Sequence, residues 1–227
     1  MSYSFRRFAD AVAGLVYPSL CLGCDRRVAP SETLPVCARC LQRIPTPPDG
    51  AALAQIRQRE AGVAIRSATA LWAYDESGTA QRVQYALKYG GQPSLGHPLG
   101  ALMANAWRDQ SIDSVIPVPL SRPRFLERGY NQSDALAEGL SQTLGVPHAP
   151  HVLVRSRPTR TQTRLSASER WSNVSGAFSV PEPGPLAGQR VLLVDDVLTT
   201  GATLTAAAHV LAEAGATVEA AVLAFAG

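Results

Sequence analysis

Apolar and polar positions follow two different rhythms along this chain, and the change comes near Val63. From there on, short apolar runs alternate with longer stretches whose apolar residues recur at helical spacing. Runs at 68–74, 113–118, 152–154, 190–194 and 217–225 predict strands, with Pro117 ending or edging the second. Stretches at 79–88, 99–109, 133–144 and 205–214 predict helices; Gly145 and Pro147 stop the third and Gly215 the fourth. Strands alternating with helices predict an α/β domain built on a parallel sheet. The N-terminal part lacks this rhythm. It carries several prolines, a turn-rich break at 45–50 and a polar helix or linker at 51–60. Phe5, Phe8, Val12, Leu15 and Val16 recur at helical spacing, which suits a helix packed on the body or, alternatively, one lying on a membrane surface. The expected division is an N-terminal module at 1–60 and an α/β domain at 61–227.

The stretch 191–203 concentrates chemistry. Its apolar run ends in Asp195 and Asp196, and Val197, Leu198, Thr199, Thr200, Gly201, Ala202 and Thr203 lead into an Ala- and Leu-rich segment. This reads as a buried strand, a tight polar turn and a helix start. Such a turn aims backbone N–H groups and the positive helix end at one point, which suits a phosphate monoester. Carboxylates at the strand end can accept hydrogen bonds from sugar hydroxyls or hold a hydrated Mg²⁺. For the acids alone, a receiver-like Mg²⁺ site on another doubly wound domain is an equal alternative. With the Thr-Gly-x-Thr included, the segment resembles the ribose-phosphate-binding signature of the type I phosphoribosyltransferases. That resemblance implies a site for 5-phosphoribosyl-1-pyrophosphate (PRPP). Asp195 and Asp196 would face the ribose hydroxyls, and Thr199 to Thr203 would cradle the 5-phosphate.

All four cysteines lie near the start, as Cys21-x₂-Cys24 and Cys37-x₂-Cys40 separated by twelve residues. Each pair forms a knuckle that grips one face of a tetrahedral ion, and together they close the ligand set of a structural Zn²⁺. Two disulfides are the competing reading, disfavoured in a reducing compartment. No apolar run approaches the roughly twenty residues of a membrane-spanning helix, and the N-terminus has no apolar core of a secretory leader. These readings predict a cytoplasmic protein. The net charge of +3 demands no polyanionic partner. Basic charge is almost all arginine, Lys88 being the only lysine, and nucleotide bias is the simpler account.

Two arginine-rich stretches follow strands. The first, 117–132, carries Arg122, Arg124 and Arg128 beside Gly129, and guanidiniums there could meet a pyrophosphate. Asn131 or Ser133 could instead serve to cap the next helix. The second, 155–178, is long and polar, and suits either a mobile lid or a solvated connection. Taken together, the cysteine knuckles, Leu87-Lys88-Tyr89, Pro117-Val-Pro-Leu120, Arg128-Gly-Tyr-Asn-Gln132, Thr161-Gln-Thr163, Gly176-Ala-Phe178 and the 194–201 segment resemble the ComF-type proteins linked to DNA uptake in bacterial competence. The resemblance implies a type I phosphoribosyltransferase-like parallel sheet with a small N-terminal zinc-ribbon module. It implies a glycosyltransferase-class activity on PRPP with Mg²⁺, toward an acceptor that no residue identifies. Arg128, Gly129 and Lys88 are its candidates for the pyrophosphate side. Thr161, Gln162, Thr163, Arg164 and Arg170 would belong to the lid. Possible further partners are single-stranded DNA and a protein of the competence machinery, with a non-catalytic DNA-handling or ligand-sensing role as the alternative. Many members carry further cysteines after the first knuckles; 41–66 has none here, so one zinc is expected.

Overall fold

The computed structural model describes residues 20–29, 33–59, 63–75, 78–156, 176–182 and 184–227. The expected N-terminal helix and the whole expected lid, including Thr161, Gln162, Thr163, Arg164 and Arg170, lie outside the described residues. Strands β1 (Ile65–Ala73), β2 (Ser114–Pro117), β5 (Arg190–Leu198) and β6 (Thr217–Phe225) form a parallel sheet in the order β1-β6-β5-β2. A separate antiparallel pair joins β3 (Val154–Arg155) to β4 (Phe178–Ser179). The parallel sheet is covered on both faces, which is why β5 and β6 read as near-continuous apolar runs.

Alternation along β5 assigns its residues to two cores. Leu192 and Val194 join Val83 and Leu87 of α3 (Thr79–Tyr89), Leu99 of α4 (Gly96–Met103) and Leu136 and Leu140 of α6 (Gln132–Leu144). Val191 and Leu193 join Leu204, Ala207 and Leu211 of α7 (Ala202–Glu213) on the other face. Among the described residues, the N-terminal module packs into the cores of the α/β part. Cys21, Val28, Leu34, Val36 and Ile44 complete the first cluster against Trp72, Ala80 and Val83, and α1 (Ala38–Leu41) brings Cys40 to it. Helix α2 (Ala51–Arg59) crosses to the second cluster, where Ala52 and Ile56 pack with Leu198 and Leu204.

The structure departs from the periodicity in three places. Strand β5 runs past 194 to Leu198, because β6 continues beside it and pairs Asp195 with Val222 and Leu198 with Phe225. The expected helix at 99–109 starts earlier, as α4, and tightens into a 3₁₀ turn over Ala104–Trp107. The arginine-rich stretch after β2 contains a helix, α5 (Arg122–Arg128). Pro123 suits its first turn and Gly129, at φ 79°, ends it in the left-handed region.

Helices α4 and α6 approach through glycine. A Cβ on Gly100 would lie 2.1 Å from the Leu136 carbonyl oxygen, and one on Gly139 would lie 2.2 Å from that of His97. Both obstacles are backbone, so the helices must separate to admit a methyl group. This contact sets the height of α6, whose first turn faces the two aspartates. Gly139→Ala is expected to destabilise the protein by about 2–3 kcal/mol, read as a lower urea midpoint at unchanged slope.

Candidate functional site

The carboxyl end of β5 delivers Asp195 and Asp196 side by side, and both are buried. Neighbouring carboxylates in a dry site cannot both ionise without donors or cations around them. The surroundings separate the two. Asp196 Oδ2 lies 2.7 Å from Lys88 Nζ at the end of α3, and Asp196 Oδ1 accepts from Gln132 Nε2 at 3.3 Å. Burial pushes the Asp196 carboxyl up, but the Lys88 charge and these hydrogen bonds outweigh it and hold it below the usual range. Asp195 Oδ1 accepts from the Ser133 hydroxyl and from the Asp196 backbone N–H, each at 2.9 Å. Those donors do not offset burial and the Asp196 charge, so Asp195 is pushed up to about 7.

The turn after β5 is shaped for an anion. Gly201 precedes α7 with φ 81° and brings no capping side chain; Thr200 Oγ1 accepts from the Ala202 N–H at 3.4 Å, and the first-turn N–H groups beyond it have no intrahelical partner and suit a ligand or water. Helix α2 backs this turn. Gln55 Nε2 donates to the Thr199 carbonyl at 3.2 Å, and a Cβ on Gly201 would come within 3.1 Å of Ile56 Cγ1. A cavity of about 400 Å³ joins Lys88, Asp195, Asp196, Val197, Thr199 and Thr203. Its opposite wall is the 118–121 loop after β2, together with Arg124 of α5 and Arg155 of β3. Burial and the nearby Arg124 charge lower the pKa of Arg155, which lies over the Phe178 ring at 5.2 Å; Asp195 opposes the shift. The arginines and the acids thus line one cavity, whose volume of about 400 Å³ suits a phosphorylated sugar.

The sequence-derived residues are not all gathered there. Lys88, both aspartates and the turn meet at the cavity, whereas Arg128 points to Gln132 and Tyr89, and Gly129 serves as the C-cap of α5. Asn131, not Ser133, caps α6: its Oδ1 accepts from the Ser133 N–H at 3.2 Å, while its Nδ2 donates to the Val118 carbonyl at 3.0 Å. That frees the Ser133 hydroxyl for Asp195. Gln84, which supports Asp196 by donating to its backbone carbonyl at 3.2 Å, carried no signal in the sequence.

A second constellation lies at the N-terminal module. The Sγ atoms of Cys21, Cys24, Cys37 and Cys40 fall within 4.8 Å of one another, and all four are free thiols. Cys24 and Cys37 Sγ are 3.8 Å apart, the edge length of about 3.8 Å that four sulfurs at ~2.3 Å from a tetrahedral ion require. Gly23 and Cys37 backbone N–H groups donate to Cys21 Sγ at 3.3 and 3.2 Å. Burial opposes ionisation of Cys21, yet these bonds prevail and lower it to about 6; burial and the neighbouring Cys24 thiol push Cys40 up to about 12. A divalent cation would relieve that conflict, and the set could hold zinc. Gly23 admits no side chain: a Cβ would lie 2.8 Å from Cys40 Sγ and 2.6 Å from Thr79 Oγ1 at the start of α3. Among the described residues, no helix is long and apolar enough to cross a membrane.

Comparison with known proteins matches residues 131–227 to the phosphoribosyl transferase domain family. "Competence protein F" of Haemophilus influenzae is 41% identical over 104 residues, 45% of this chain and 45% of that protein. "DNA utilization protein YhgH" of Escherichia coli is 40% identical over 104 residues, 46% of this chain and 45% of that protein. "Competence protein ComFC" of Bacillus subtilis is 36% identical over 101 residues, 44% of this chain and 39% of that protein. The matches therefore span less than half of each relative. Within that span the match to the phosphoribosyl transferase domain and the similarity to these competence and DNA utilization proteins agree with the motifs that resemble the ComF family.

Proposed function

We propose that this chain binds PRPP with Mg²⁺ and transfers its phosphoribosyl group, in a role linked to DNA uptake. The observation that carries the reading is the single cavity holding Asp195, Asp196 and the Thr199–Thr203 turn opposite Arg124 and Arg155. The ribose hydroxyls donate to Asp195 and Asp196, the turn and the α7 N-terminus hold the 5-phosphate, and the arginines neutralise the pyrophosphate. In the reaction the bond from ribose C1 to pyrophosphate breaks, positive charge develops on the sugar ring, and an acceptor atom attacks C1. The protein's part is to hold the sugar, stabilise the leaving pyrophosphate and keep water away. When bound, Mg²⁺ adds charge neutralisation at the pyrophosphate. Lys88 already neutralises Asp196, so the donor itself has to supply most of the oxygen ligands for that ion. The names of the relatives, "competence" and "DNA utilization", support the setting in DNA uptake.

A second reading rests on a different surface. Beside the cysteine knuckles a groove of about 680 Å³ exposes Tyr85 and Tyr89 of α3 near Arg82 and Lys88. The two rings are 65% and 53% exposed residues in tilted contact, with centroids 5.2 Å apart. Exposed aromatic rings beside cations suit stacked bases of single-stranded DNA.

Calorimetric titration is expected to show Mg²⁺-dependent PRPP binding that weakens about 100-fold in the Asp195→Asn, Asp196→Asn double variant. The same titrations carry a pH signature. Asp195 is pushed up to about 7, and its carboxylate form is the stronger acceptor toward both ribose and Ser133. Affinity should therefore rise from about pH 6 to about pH 8, and Asp195→Asn should flatten the rise. No binding by folded wild type sinks the proposal.

Purified protein should carry one zinc per chain. Cys24→Ser with Cys37→Ser should release it and lower the melting temperature, because the knuckles complete the core around α3. Metal analysis and thermal melts check both points.

For the second reading, binding of a fluorescent oligothymidylate should fall steeply with salt and about tenfold further in Tyr85→Ala. Salt-independent binding that ignores Tyr85 rules the groove out.

A further inference from the structure

Arg128 was expected to reach for pyrophosphate, yet it does not line the cavity and bonds instead to Gln132, which does. Its Nη1 donates to Gln132 Oε1 at 2.8 Å and its Nη2 to the Tyr89 hydroxyl at 3.3 Å, with the guanidinium over the Tyr89 ring at 5.0 Å. Gln132 is buried at the first position of α6, and its Nε2 donates to Asp196 Oδ1 at 3.3 Å. Direction matters in this chain of contacts. A guanidinium only donates, so the carbonyl end of the Gln132 amide must face Arg128. The NH₂ end is then forced toward Asp196. With no cation at Arg128, the amide could turn over and set its oxygen against the carboxylate.

The backbone around the pair is fixed from several sides. Gly129 N–H donates to the Phe125 carbonyl at 2.8 Å, closing α5 just beyond Arg128. The Tyr130 hydroxyl donates to the Leu87 carbonyl, next to Lys88. Asn131 ties the start of α6 to the loop after β2. Within this stretch Tyr130 bonds next to Lys88, Gln132 to Asp196 and Ser133 to Asp195, and Arg128 and Gln132 form the polar line to Asp196.

We infer that Arg128 and Gln132 are positioning residues, a relay that runs from Tyr89 to the Asp196 carboxylate and fixes its orientation toward the ribose. The inference rests on the proposed PRPP site for its ligand and on the apo geometry for its wiring. It assigns Arg128 an indirect role: the residue acts on ribose binding through Gln132 and does not touch the pyrophosphate.

The test compares two ligands, PRPP and ribose 5-phosphate, which share the sugar and the 5-phosphate but differ in the pyrophosphate. Arg128→Met and Gln132→Met should each weaken both ligands by the same factor, about tenfold, the loss expected for a hydrogen bond to a charged group. The double variant should be no weaker than the worse single variant, because both remove one relay. Gln132→Glu should bind at least as poorly as Gln132→Met, since Glu still accepts from Arg128 but brings a second carboxylate to Asp196. Tyr89→Phe keeps the ring under Arg128 and serves as the mild variant, with a loss of a fewfold in both ligands. If Arg128→Met weakens PRPP alone and leaves ribose 5-phosphate untouched, Arg128 meets the pyrophosphate directly and the relay is overturned.

A measurement without ligand separates this inference from the proposed function. In protein carrying ¹³C-labelled aspartate carboxyls, with Asp196→Asn assigning the signal, Gln132→Met and Arg128→Met should both raise the Asp196 titration midpoint. An unchanged midpoint in folded variants overturns the relay. Should wild type bind neither ligand, the PRPP reading falls, and this titration still decides whether Arg128 acts on Asp196.

Discussion

Two adjacent carboxylates are buried at the end of β5, and much of the surrounding structure answers to that constraint. A dry, like-charged pair is strongly unfavourable unless one acid stays protonated or positive charge and donors are brought in. Here both remedies are used. Lys88 and Gln132 hold Asp196 below the usual carboxyl range, while Asp195, whose hydrogen bonds come from the Ser133 hydroxyl and one backbone N–H, is pushed up to about 7. Ionised and protonated neighbours differ in what they offer a sugar: the first only accepts hydrogen bonds, whereas the second keeps some acceptor capacity and can also donate its O–H. The partners come from α3 and α6, so the acids also dictate where those helices must end and begin.

That dictate explains features that look unrelated. The glycine contact between α4 and α6 fixes α6 along its axis, and Gln132 and Ser133 reach the acids only if that axis is correct. The short helix α5 and its left-handed Gly129 bring Arg128 back toward α6, when a straight loop would leave it in solvent. Helix α2 supports the phosphate turn from behind through Ile56 and Gln55. Sequence position alone would attach that helix to the cysteine module, but its buried face belongs to the core beneath the turn.

Legibility in the sequence followed the range of the interactions involved. The parallel sheet, four of the five described helices of the α/β part and the Asp195–Thr203 turn were readable because each depends on local period or on residue types within a few positions. Asp195 and Asp196 themselves were readable, but their different protonation was not, since it comes from Lys88, over one hundred residues earlier in the chain, and from α6. The contacts of Arg128 with Gln132 and Tyr89 were not readable, because a guanidinium near a glycine looks the same in sequence whether it faces a ligand or a glutamine. Helix α5 was hidden for a different reason. None of its residues is buried, so it has no apolar stripe to betray it, and only Pro123 and Gly129 mark its ends. Gln84 and Gln55 act through backbone carbonyls of distant segments, contacts to which no sequence pattern corresponds.

Helix α3 joins the two constellations physically. Its N-terminal Thr79 lies against the spot where Gly23 lets the knuckles close, Arg82 donates to the Leu22 carbonyl at 3.4 Å, and Ala80 and Val83 share a core with Cys21 and Cys40. Its far end presents Lys88 to Asp196 and Tyr89 to Arg128. Eleven residues of one rigid helix thus separate the thiol cluster from the acid pair. A helix transmits displacement along its axis with little loss, and the module packed on the start of α3 shares its core. The thiol cluster closes that module against the start of α3, so one helix is packed at one end by the cysteine knuckles and at the other presents the cation beside Asp196.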